Sequence, residues 1–162
     1  MTTDTSGPQP RLADATVHQR MPEHELLSSL IGKWMTVGRT VPTGDEPALP
    51  IQASDVYDWV AGGFFVVHTA YGRIGDVDVG GIELIGYDPE TRRFRTHFFD
   101  SQGNISNQDL TFDDGTWTWT GESARATGVL SDDGRAMPTL HEWSDDGISW
   151  RPSMDITLRK VV

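Results

Sequence analysis

From Trp34 onward the chain is a succession of short β-prone runs cut by turn residues. The runs fall at roughly 34–41, 52–60, 63–72, 79–87, 93–100, 105–112, 116–121, 124–130, 137–144 and 150–159. Most connections are of hairpin length: "DPET" at 88–91, "SQGN" at 101–104, and "DDG" at 113–115, 132–134 and 145–147. Asp and Gly supply side-chain turn bonds and positive φ there. The acidic triplets read as turns rather than calcium loops, because the longer alternating loop with a closing Glu is missing. About ten antiparallel strands joined this way form a meander, and closing a meander removes both exposed edges. The expected fold is all-β: a closed antiparallel meander β-barrel of about ten strands (eight to ten), able to hold a small ligand inside. No long crossover helix supports a parallel α/β sheet.

Ahead of the barrel, residues 1–20 are polar, carry Pro8 and Pro10, and read as a flexible tail. "MPEHELLSSLIGKW" then encodes a short amphipathic helix of two to three turns. Pro22 suits a first turn, and Glu23 and Glu25 favour the positive end of the helix dipole. Leu26, Leu27, Leu30 and Ile31 share a face, and Gly32 ends the pattern. Residues 21–162 therefore read as a single domain.

At "LIGKW" a resemblance begins. Gly32-Lys33-Trp34 matches the G-x-W signature that opens the first strand of lipocalins and other calycins. The ordered set continues with the "GGFF" strand, the "GYDPETRRF" hairpin, the "FFDSQG" turn and a final "W-x-P-x-M-D" strand. Together these resemble a bacterial family of lipocalin-like (calycin-type) proteins of undefined function, over about residues 25–160. The strand count is similar to that of fatty-acid-binding-protein and nitrobindin barrels. The resemblance implies a ligand-binding barrel whose Trp34 closes the base and packs on an Arg from near the chain end, a place that Arg159 would fill. It carries over no catalytic residue.

Charge and composition narrow the partners. A formal charge of -11 repels phosphate backbones and anionic membranes, so neither nucleic acid nor a membrane is an expected partner. With no cysteine, disulfides, thiol catalysis and cysteine-ligated metals are excluded. No apolar run approaches the ~20 residues of a membrane span, and the N-terminus lacks a secretory apolar core. A cytoplasmic protein is the expectation, and a homodimer is compatible with it.

Strand alternation proposes an inner face. In the last strand Trp150, Pro152, Met154, Ile156 and Leu158 form the apolar side. Phe94 and Phe98 point inward, leaving His97 outside. Met137, Thr139, His141 and Trp143 share an inner face. Trp117 and Trp119 share a face, read as inner, though an outer aromatic seam has the same pattern. Tyr57 and Trp59 are assigned inward on bulk. In "GGFFVVHTAYG", Phe64, Val66, His68 and Ala70 oppose an equally apolar set, so either face can be the inner one.

These side chains describe a pocket for a small hydrophobic or aromatic molecule. His68 and His141 are its polar fixtures and the candidate catalytic groups, with Tyr57 or Asp100 as helpers; a turn-forming role also suits Asp100. Two further functions stay open. One is a cyclase or isomerase of secondary metabolism that folds its substrate inside the barrel. The other is haem binding through either histidine. No other cofactor and no metal is expected, since no H-E-x-x-H, nucleophile elbow or phosphate loop is present.

Overall fold

Turn chemistry sets the fold. Asp114 and Gly115 both adopt positive φ between the paired residues Asp113 and Thr116, the geometry of a two-residue hairpin turn whose twist suits its strands. This turn, a second two-residue turn at 75–76 and longer connections elsewhere link ten strands: β1 Gly32–Thr40, β2 Pro50–Trp59, β3 Phe65–Ile74, β4 Val77–Asp88, β5 Arg93–Asp100, β6 Ile105–Asp113, β7 Thr116–Thr120, β8 Ala124–Val129, β9 Ala136–Trp143 and β10 Arg151–Lys160. All pairs are antiparallel neighbours in sequence, and β1 pairs with β10, so the sheet closes into a barrel with no free edge. The structure is a computed structural model that describes residues 18–161. The expected tail over 1–20 falls largely outside the described residues; residues 18–20 have no regular secondary structure. No helix among the described residues is long and apolar enough to cross a membrane.

The helical segment has the expected length but changes its winding midway. One α-turn, α1 (Pro22–Leu26), runs into a 3-10 turn at Leu27–Ser29. The tighter winding rotates the face: Leu27 and Leu30 are fully buried, whereas Leu26 is exposed. This segment plugs one end of the barrel. Its Leu30 carbonyl accepts the indole N–H of Trp34 at 2.8 Å, and the Ser29 hydroxyl accepts that of Trp117 at 3.1 Å. His24, on this segment, is buried edge-on to Phe64 and Tyr87. Trp34, Val66, Ile85, Leu110, Trp117, Met137 and Leu158 complete a dense apolar floor.

The cation over Trp34 is Lys160, 4.6 Å from the ring centre, not Arg159. Register decides it. Trp34 pairs with Lys160 and shares its face, while Arg159 pairs with Met35 and points out. The last strand also departs from simple alternation. A bulge between Pro152 and Met154 shifts the pattern by one residue. Met154, Ile156 and Leu158 keep the inner side, but Pro152 is exposed and Trp150 lies against Arg125 of the outer wall.

Candidate functional site

Above the floor the inner face changes character. Thr36, Asp55, His68, Glu83, Thr96 and Thr139, from six strands, are all buried and polar. Hairpin register brings them together. Gly75 (φ 57) and Asp76 form a tight turn between the paired Ile74 and Val77, which sets His68 opposite Glu83. The β2–β3 pairing sets His68 opposite Tyr57, with Asp55 one step diagonal.

The result is a buried chain of charge. Nδ1 of His68 lies 2.9 Å from Oε2 of Glu83, and Nε2 lies 2.9 Å from Oδ1 of Asp55. Thr36 donates its hydroxyl to the other Asp55 oxygen. Tyr57 stacks on the imidazole, with ring centres 3.9 Å apart and planes 5° from parallel. Burial alone would push the His68 pKa down. Its hydrogen bonds to Asp55 and Glu83, and their negative charges, outweigh burial and raise it to about 9. His68 is therefore an imidazolium near neutral pH. Burial first, and then the charges of Glu83 and Asp55, push the Tyr57 phenol well above its ordinary value, so it stays a neutral hydroxyl.

His141 is the opposite case. Burial lowers its pKa, only partly countered by the negative charges of Asp55 and Glu83. It is a neutral imidazole beside Met154 and Ala126. With both nitrogens of His68 engaged by carboxylates, His141 is the one of this pair that offers a ring nitrogen lone pair.

Toward the end away from the helix, Gly38, Ala53, Ala70, Gly81 and Phe98 are incompletely buried inner positions, beside the buried Ile51. The side chains of the polar layer retain some exposure, whereas Trp34 and Trp117 of the floor are sealed.

The other sequence-derived positions divide among three places. Val66, Phe94, Trp117 and Met137 belong to the floor; Tyr57, His68, Trp119, His141, Met154 and Phe98 lie on the inner face at or around the polar layer. Trp59 packs half-buried on the core near the helix, under the Arg20 guanidinium. Phe64 does not share the strand of Val66 and His68, because β3 begins one residue later; it packs on His24 instead. Trp143 sits at the end of β9, half-buried beneath the Arg151 guanidinium. Asp100 is a turn former: its carboxylate accepts from the amides of Gln102 and Asn104 and from the Asn104 side chain. His97 is on the outside, bonded to Asn107.

Sequence reasoning missed Asp55 and Glu83. The signal was present for both. Asp55 lies two residues from Tyr57 and so shares its face, and the Gly75–Asp76 turn pairs His68 with Glu83. Hydropathy hid the second, since Glu83 sits between Ile82 and Leu84, which face outward at 49% and 42% exposure.

Comparison with known proteins gives the same architecture. No curated protein matches the chain. The crystal structure of Rv2717c from M. tuberculosis superposes with a TM-score of 0.63 at 11% identity, over 89% of this chain and 100% of that one. The S-type phycobiliprotein lyase CPES from Guillardia theta superposes with a TM-score of 0.61 at 10% identity, over 87% of this chain and 93% of that one. At such identities the likeness is one of fold. A family model described as "Protein of unknown function (DUF1579)" matches residues 19–141, and the chain belongs to that family.

Proposed function

We propose that the protein is a lipocalin-like binder of a small, largely hydrophobic or aromatic molecule, held in the barrel interior above the sealed floor. One observation carries this reading: the Asp55–His68–Glu83 chain, stacked by Tyr57, lies on the inner face of the barrel with its side chains still partly exposed. A buried charged array stabilises a fold less than apolar packing of the same volume would. Its presence in a barrel with ample apolar residues points to a role in recognition. Phe98, Trp119 and Met154 supply apolar walls, and neutral His141 supplies a hydrogen-bonding group.

Tryptophan emission tests this, since Trp119 belongs to the inner face. Titration with 1-naphthalenemethanol is expected to quench emission saturably. Ala70→Phe, which fills the space above Asp55 and beside Gly81, is expected to weaken binding at least about tenfold. Phe99→Ser, on the outer wall, is expected to leave it unchanged. Non-saturating quenching, or sensitivity to Phe99→Ser instead of Ala70→Phe, would remove the pocket reading.

A further inference from the structure

We infer that the ligand of this barrel carries a positively charged nitrogen, such as a protonated amine, beside its apolar or aromatic body. The inference rests on the pocket reading above and adds the chemical class of what fills it.

Proton counting within the array gives its charge. Each 2.9 Å contact of His68 needs one proton between nitrogen and oxygen. Two carboxylates and an imidazole stripped of both ring protons carry three negative charges; two shared protons leave one. That net charge of one negative holds wherever along the two bonds the protons sit. Thr36 contributes a neutral hydroxyl. Among the described residues no lysine or arginine pairs with Asp55 or Glu83. Lys160 is engaged at the floor, over Trp34 and donating to the Ser29 carbonyl at 3.3 Å. A buried charge without a counter-charge is costly, and a cationic ligand removes that cost.

A second observation is independent of charge. The Thr96 hydroxyl is fully buried and has no hydrogen-bond partner in the fold. Thr96 is on the inner face of β5, one diagonal step from Glu83. Nearly every buried hydroxyl in a native fold is satisfied, so this one points to a group supplied from outside the chain. An ammonium N–H lodged between Glu83 and Thr96 would satisfy both. The Trp119 ring on the inner face suits a cation as well as an apolar ring. The array is reachable: the side chains of His68, Asp55 and Glu83 retain 11%, 11% and 7% exposure.

The experiment compares three probes of one shape: 1-naphthylmethylammonium, 1-naphthalenemethanol and 1-naphthoate. Binding to the full chain is measured by calorimetry near pH 7 in about 0.15 M salt, which screens the overall charge of -11. The ammonium is expected to bind at least about tenfold tighter than the alcohol, with the carboxylate weakest. Asp55→Asn with Glu83→Gln keeps both hydrogen bonds around a neutral imidazole and removes the net charge. In that double variant the preference for ammonium over alcohol is expected to disappear. Alcohol binding as tightly as ammonium to the wild-type protein would overturn the charge inference and leave the pocket standing. A preference that survives in a folded double variant would overturn it too. Failure of all three probes to bind at a site sensitive to Ala70→Phe would overturn both readings. If the double variant does not fold, the wild-type ranking decides.

Discussion

His68→Ala will lower the free energy of unfolding by about 3–5 kcal/mol near neutral pH, read from urea denaturation. The loss comes less from the missing ring than from what stays behind. Asp55 and Glu83 are only 8% and 6% exposed, and the imidazole is the group that bridges them. Without it, two buried carboxylates face each other with no intervening cation. Two companion results separate this from an ordinary cavity effect. The variant should regain stability as pH falls and the carboxylates protonate, whereas a plain cavity has no such pH dependence. Adding Asp55→Asn and Glu83→Gln to His68→Ala should recover a large part of the loss, because no charge is then stranded. A loss of about 1 kcal/mol, independent of pH, would mean that the array is not charged as described.

Wild-type stability will also fall on the alkaline side. The folded pKa of His68, about 9, lies above its ordinary 6.5. A raised pKa means the folded state holds the proton more tightly than the unfolded chain. Its contribution is complete below pH 6.5 and is lost as pH rises through about 9. The difference corresponds to about 3 kcal/mol. Denaturation midpoints should therefore decline across that window. In the Asp55→Asn, Glu83→Gln variant this decline should be absent, since the carboxylates that hold the proton are gone. Constant wild-type stability between pH 6.5 and about 9 would show that His68 does not carry the proton.

The architecture could be read almost entirely from turn chemistry. Asp-Gly pairs and short connections mark hairpins locally, and closure follows from ten strands with no other cover for their edges. Departures arose at strand ends. The bulge at Pro152 moved Trp150 to the outer wall, and β3 starts at Phe65, leaving Phe64 ahead of the strand against His24. The polar layer was harder. A strand of this barrel wall can be apolar on both sides: β3 and β4 carry Phe65, Tyr71, Ile82 and Leu84 outward. Hydropathy alternation then fails, and Glu83 hides between two exposed aliphatic residues. Register would have succeeded, because a tight turn at Gly75–Asp76 fixes which side chains are opposite whatever their polarity. The protonation contrast between His68 and His141 was beyond reach from sequence. It depends on a diagonal contact from Asp55 and a direct one from Glu83, neither made to His141.

The most direct test is nitrogen NMR of the histidine side chains, with and without 1-naphthylmethylammonium. Near pH 7 both ring nitrogens of His68 should be protonated, while His141 should show the signature of a neutral ring. His68 should release its proton only near pH 9. Adding the probe should move the His68 and His141 signals and leave His97, on the outer wall, in place. A neutral His68 that titrates near 6.5, or a probe that shifts His97 while both interior histidines stay still, would contradict the account.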